Sequence, residues 1–211
     1  MDASLYLEGL IFGIVPVFFV GPVIFTLLDA SLRGGFASGA LVAIGIAVSD
    51  VCAIALCALG LGPILSQPWG QWALELAGGV ILIAFGAVMI RGRRPAIDEA
   101  ALRARGGAHG FGLFARGFLV NFVNPFVFTF WIGAIGGVGE RHGFTPAALT
   151  TFFAGVMTMI LGTDLAKAAL AGALRERLAG RAGVWAPRIS GLALALFGAS
   201  LLLRAATGVP R

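Results

Sequence analysis

Charge is what this 211-residue sequence has least of. Asp, Glu, Lys and Arg together make up 12% of it, about half the roughly 25% of an ordinary soluble domain. Hydrophobic residues are 59% and the mean hydropathy is +0.97. A water-soluble fold of this length cannot bury so much apolar surface, so that class is excluded. Metal-ligating side chains are also scarce. There are two histidines and two cysteines, and no spacing of His, Cys, Asp or Glu resembles a metal site. His109 and His142 fall in expected loops, where they would be solvated. Cys52 and Cys57 share one apolar run. Five residues apart on a helix they point about 140° from each other, which disfavours a disulfide. No nucleophile elbow, phosphate loop or cofactor motif occurs, so neither an enzyme nor a cofactor is expected. The first eight residues carry Asp2 and Glu8 but no Lys or Arg, so they lack the basic region of a cleavable signal peptide.

Long apolar runs are there instead. A helix needs about 20 apolar residues to cross roughly 30 Å of hydrocarbon. Six runs qualify, near Leu5–Leu28, Phe36–Leu61, Gln71–Ile90, Phe111–Val138, Pro146–Leu174 and Pro187–Leu203. Gly is 32 of 211 residues, and small residues let helix backbones approach closely in lipid. Pairs four apart at Gly9 and Gly13, Gly35 and Gly39, and Gly133 and Gly137 would serve helix packing or a homodimer contact. Trp69 and Trp72 suit an interfacial anchor. The lipid bilayer is thus the main partner, and the net charge of +5 reflects topology rather than nucleic-acid binding.

The arginines set orientation. Arg33, the group Arg91, Arg93, Arg94, Arg103, Arg105 and Arg116, and the group Arg175, Arg177, Arg181 and Arg188 fall on one side, 11 in all, against Arg141, Arg204 and Arg211 on the other. The positive-inside rule makes the richer side cytoplasmic, so both termini are expected on the non-cytoplasmic face. The expected fold is an all-α polytopic membrane bundle. Residues 1–90 form a first three-helix repeat, 91–110 a basic cytoplasmic loop, and 111–211 a second repeat. An odd number of spans per repeat makes the two inverted, and helices 1 and 4 are broken by proline.

Inverted repeats with broken helices are a plan of secondary transporters. The first break reads Pro16-Val-Phe-Phe-Val-Gly21-Pro22 and the second Asn121-Phe-Val-Asn124-Pro125. Proline removes a backbone donor, and the freed polar groups must be paired or line a wet cavity. The breaks could be packing kinks. They could equally form a central site at Gly21, Pro22, Asn121, Asn124 and Pro125, where helix N-termini offer N–H groups to a carboxylate. Asp50 lies mid-run and Asp164 lies in the comparable run of the second half, each after a hydroxyl residue. A charge so placed faces protein or water. Asp50 could exchange a proton or pair with a substrate ammonium. Lys167, three residues after Asp164, shares its helix face, so the two are an ion-coupling pair or a structural one. Asp29 and Arg33, four apart, read as an interfacial ion pair that could gate.

These residues resemble the lysine exporter (LysE/RhtB) family of amino-acid exporters. The resemblance runs through Gly21-Pro22, Arg33-Gly34-Gly35-Phe36 to Gly39, Gly45, Asp50, Gly60 and Gly78-Gly79-Val80-Ile81-Leu82 to Gly86. Its strongest piece is Gly117-Phe118-Leu119-Val120-Asn121-Phe122-Val123-Asn124-Pro125, similar to the family's G-F-x-x-N-x-x-N-P segment. It implies a plasma-membrane antiporter that exports amino acids or related small polar metabolites by alternating access, driven by protons or membrane potential. Two positions depart from the family's habit: Val20 stands for a proline, and Phe126 for a lysine. The alternatives are a metal-ion exporter of the same superfamily, which the missing His and Cys clusters disfavour, and a membrane thiol–disulfide carrier using Cys52 and Cys57.

Overall fold

The computed structural model describes residues 2–18, 21–61, 67–91, 107–174 and 182–207. Every regular element among them is helical. In chain order these are α1 (Ala3–Phe12), a 3₁₀ turn (Val15–Phe18), α2 (Pro22–Leu56) ending in a π turn (Cys57–Leu61), α3 (Pro68–Ile90), α4 (Gly107–Phe122), α5 (Pro125–His142), α6 (Pro146–Leu174) and α7 (Ala182–Thr207). Most of the 91–110 connection, with Arg93, Arg94, Arg103 and Arg105, lies outside the described residues. So do Arg175, Arg177, Arg181, Arg211, Val20 and the side chain of His109.

This is a multi-pass membrane protein. Four helices are long and apolar enough to cross a membrane, or five if the bent pair α4–α5 is one span. The six expected runs do not map one to one onto these. The first run is split into α1, the 3₁₀ turn and the start of α2. The gap expected between the first two runs, after Leu28 and before Phe36, is not a loop, because α2 runs through it. Only Gly35 departs from helical geometry there, at φ 71° and ψ −170°, a conformation open mainly to glycine. At 35 residues α2 would measure about 52 Å if straight, against about 30 Å of hydrocarbon. Gly35 therefore turns the chain between two apolar stretches. The fourth run is split at Val123–Asn124, with a 67° bend between its parts. The helix also extends past the expected boundary at Val138 to His142. It stops at Gly143, whose φ of 83° lets the chain leave the helix at low cost.

Proline opens four of the helices: Pro22 begins α2, Pro68 α3, Pro125 α5 and Pro146 α6. Its missing N–H is harmless in the first turn, and its fixed φ suits a helix start.

Close approach between helices follows one rule, met twice. A Cβ on Gly9 of α1 would strike the Phe152 carbonyl of α6, and one on Gly155 of α6 would strike that of Tyr6 on α1. Likewise a Cβ on Gly117 of α4 would strike the Val42 carbonyl of α2, and one on Gly45 would strike that of Phe114 on α4. In all four cases the carbonyl belongs to the residue three before the partner glycine. Between α3 and α7, Gly86 and Gly191 each sit against the other's carbonyl. The Gly133 and Gly137 pair does not pack this way, since a Cβ on either would meet nothing within 4 Å. Three apolar clusters fill the bundle: Trp131, Phe128, Phe152 and Phe153 between α5 and α6, Leu27, Val42 and Ala168 around α2, and Leu82, Val120 and Leu194 between α3, α4 and α7.

Candidate functional site

Both breaks open onto one cavity of about 370 Å³. Its wall includes Gly21, Pro22, Asp50, Asn121, Asn124, Asp164 and Lys167, so residues from four helices that the sequence singled out come together. Pro125 is not on the wall. It is buried and starts α5.

The second break is polar and closed on itself. Asn124 caps α5, its side-chain oxygen accepting from the Phe126 N–H at 3.1 Å. Asn121, at the end of α4, donates through Nδ2 to Asp50 Oδ1 at 2.7 Å, with Ser49 Oγ at 3.2 Å and the Ile46 carbonyl at 3.4 Å alongside. The Trp131 indole N–H of α5 reaches the same Asp50 oxygen at 3.1 Å. One carboxylate oxygen of α2 thus ties together the two helices on either side of the bend. Asp50 is only 5% exposed. Its second oxygen takes no hydrogen bond from a described residue, and the side chain belongs to the cavity wall. The Nδ2 of Asn124 likewise donates to no described residue.

The first break is longer and less polar. A 3₁₀ turn occupies it, and α2 then starts at Gly21 with no side-chain cap. Helix starts leave four N–H groups without intrahelical partners. Here Val23 and Ile24, both on the cavity wall, carry two of them. Deeper in α6, Lys167 Nζ sits 2.9 Å from Asp164 Oδ1, so these charges neutralise each other at the wall. The two aspartates are not at matched depth. Asp50 follows Gly45 by five residues, whereas Asp164 follows Gly155 by nine, about one helical turn further on.

Asp29 and Arg33 stand apart from the cavity, and their expected pairing needs correcting. Arg33 Nε is 3.9 Å from Asp29 Oδ1, but the shorter pair is Arg116 Nη1 to Asp29 Oδ2 at 3.1 Å. Both partners are buried, and Arg116 Nη2 also reaches the Met89 sulfur at 2.8 Å. Arg116, which lies inside the expected fourth run, is thus part of a buried pair between α4 and α2. Without Arg116 the richer side keeps 10 arginines against 3, which leaves the bias in place. His142 is not a loop residue. It ends α5, and its Nε2 lies 2.8 Å from Glu8 Oε2 of α1, while Arg141 pairs with Glu8 Oε1.

Sequence reading missed Trp131, Arg116 and the aromatic part of the wall, Phe126, Phe130 and Phe197. A tryptophan deep in an apolar run needs a partner for its N–H, and that was the available signal for Trp131. Cys52 and Cys57 are both free. No group of three or more His, Cys, Asp or Glu among the described residues could hold a metal ion.

A helical membrane bundle with two interrupted helices around a cavity that carries a few polar side chains is the architecture of a small-molecule carrier. The chain belongs to the LysE type translocator family, whose model matches residues 14–205. It is similar to a Bacillus subtilis (strain 168) protein named "Putative amino acid efflux protein YcgF", with 25% identity over 197 residues, covering 92% of this chain and 93% of that protein. No solved structure is found to match.

Proposed function

We propose that this protein is a secondary active exporter of amino acids in a bacterial-type plasma membrane, working by alternating access and driven by protons or membrane potential. The observation that carries this reading is the buried Asp50, held by Asn121 and Trp131 through one oxygen and facing a cavity where two broken helices meet. Apolar residues would be cheaper there unless a polar cargo had to be met. In the proposed pose the substrate ammonium pairs with Asp50. Its carboxylate takes the Nδ2 of Asn124 and the open N-terminus of α2, where the helix dipole favours negative charge. Gly21, Pro22 and Pro125 shape the backbone at the two helix starts. Asp164 and Lys167 act in ion coupling, and Asp29 with Arg33 in gating, now together with Arg116.

Six spans in two inverted repeats are part of the proposal. They are supported by the Gly35 turn within α2 and by the matched glycine contacts of α1 with α6 and of α4 with α2. The arginine bias supports placing both termini outside. The exported amino acid for proton or charge would make the protein an antiporter.

The test is counterflow and pH-jump uptake of labelled amino acids in proteoliposomes. Asp50→Asn keeps an acceptor oxygen for Asn121 and Trp131, so the variant should fold. It is expected to lose gradient-driven flux by at least about 100-fold, as for removal of a buried charge partner worth roughly 3 kcal/mol or more. Wild-type flux and unchanged pH dependence in the folded variant would remove Asp50 from the mechanism.

A further inference from the structure

We infer that the cargo is a neutral α-amino acid with an apolar side chain, such as leucine or phenylalanine, rather than a basic or acidic one. The inference rests on the amino-acid reading above and adds the part of the substrate that the reading leaves open.

The unpaired polar groups of the cavity account for one ammonium and one carboxylate, and no more. Asp50 offers one free oxygen. The donors left for a carboxylate, Asn124 Nδ2 and the first N–H groups of α2, are uncharged. Asp164 is already engaged by Lys167 at 2.9 Å on the same helix. A second ammonium, as on lysine, would have to displace Lys167 from Asp164, breaking the 2.9 Å pair. A second carboxylate, as on glutamate, would have to compete with Asp164 for Lys167. An unpaired charge in such surroundings is strongly disfavoured. What remains of the wall is hydrocarbon apart from Thr163, whose hydroxyl is already spent on the Ile160 carbonyl at 2.9 Å. Phe126, Val127 and Phe130 come from α5, Ile46 from α2, Ile160 from α6 and Phe197 from α7. Phe130 is held edge-on to Trp131, with ring centroids 4.8 Å apart, which places its ring next to the indole that fixes Asp50. An α-amino group on Asp50 therefore points its side chain among aromatic and branched residues. The volume, about 370 Å³, lies at the small end of ligand pockets and suits one amino acid rather than a peptide.

The proposal is tested with wild-type protein in proteoliposomes, by counterflow of labelled leucine, phenylalanine, serine, lysine and glutamate at equal concentration. Leucine and phenylalanine are expected to exchange at least about 10-fold faster than lysine or glutamate, and faster than serine, because apolar contact in the pocket discriminates by about that factor for each methylene. Asp50-dependent exchange of lysine or glutamate as fast as leucine would overturn the inference while leaving the carrier reading standing. If none of the five exchanges, the carrier reading itself fails, and the inference with it. A second measurement uses Lys167→Gln, which frees Asp164 for a second ammonium. In this variant the lysine-to-leucine ratio should rise roughly 10-fold or more. A ratio unmoved in folded Lys167→Gln would show that the Asp164–Lys167 pair does not exclude basic side chains, and would overturn the charge argument.

Discussion

The two helix breaks face the same cavity but are built in opposite ways. The break between α4 and α5 spans Val123 and Asn124, and apart from the Nδ2 of Asn124 its side-chain polar groups are paired. Asn124 caps the next helix, and Asn121 and Trp131 converge on Asp50. The break between α1 and α2 carries a whole 3₁₀ turn, and its helix start at Gly21 has no side-chain cap. A satisfied hydrogen-bond network resists rearrangement, because each buried group that loses its partner costs about 1–3 kcal/mol. An uncapped helix start has no such network to lose. The comparison teaches a division of labour in the proposed carrier. The α4–α5 break holds the acid in place, and the α1–α2 break supplies the surface that is free to meet a ligand.

The same inequality appears where these helix pieces are clamped to each other, and it gives the largest predicted effect. Asp29 on α2 and Arg116 on α4 are 1% and 3% exposed. Glu8 on α1 is 29% exposed, and its partners Arg141 and His142 on α5 are 58% and 36% exposed. Breaking a buried pair from one side typically costs about 3–5 kcal/mol, whereas an exposed pair is worth about 0–1 kcal/mol. Asp29→Ala should therefore lower the thermal midpoint in detergent steeply, and Glu8→Ala should barely move it. Equal shifts would break the comparison, since the buried clamp would then be no firmer than the surface one.

How far the sequence carried this picture depends on how far apart the interacting residues lie. Both breaks were legible, because Pro22 and Asn124-Pro125 are local signals, and proline acts on its own backbone. The gathering of Asp50, Asn121, Asn124, Asp164 and Lys167 around one space was also legible, since polar residues in long apolar runs have few other places to face. The partners were not. Asn121 and Trp131 reach Asp50 from 71 and 81 positions along the chain, and no local pattern encodes such a contact. The pairing of Arg116 was not foreseen either, because its partner Asp29 lies 87 positions away on another helix. The gap between the first two runs, after Leu28 and before Phe36, was misread because helix continues through most of it. Ser31, Leu32 and Arg33 are compatible with helix, and only Gly35 departs from it.

A middle-sized effect belongs to the cap of the closed break. Asn124→Ala removes the side-chain oxygen that accepts from Phe126 N–H, and loss of such a cap costs about 1 kcal/mol. The variant should unfold slightly earlier than wild type. In the proposed site it should also weaken substrate binding, because Asn124 Nδ2 goes with it. Asn124→Asp keeps the cap and replaces the amide donor by an acid. It should recover the stability but not the transport, and this pair of variants separates the structural role of Asn124 from its binding role.

The smallest effect on stability belongs to the open break. Gly21 has φ −152° and ψ −172°, extended backbone that any residue can adopt, and a Cβ there would meet nothing within 4 Å. Gly21→Ala should leave the stability within about 0.5 kcal/mol of wild type, as for a substitution that breaks no packing or hydrogen bond. The space that receives the methyl group borders the cavity, however, beside the N–H groups of Val23 and Ile24. If the substrate carboxylate binds there, the added methyl should raise the half-saturating substrate concentration while leaving the fold untouched. Gly21→Leu should enlarge that effect without destabilising the protein much further. The opposite pattern, with stability lost and affinity kept, would mean that the α1–α2 break is the packed one and the α4–α5 break the working surface. That outcome would reverse the assignment of roles to the two breaks.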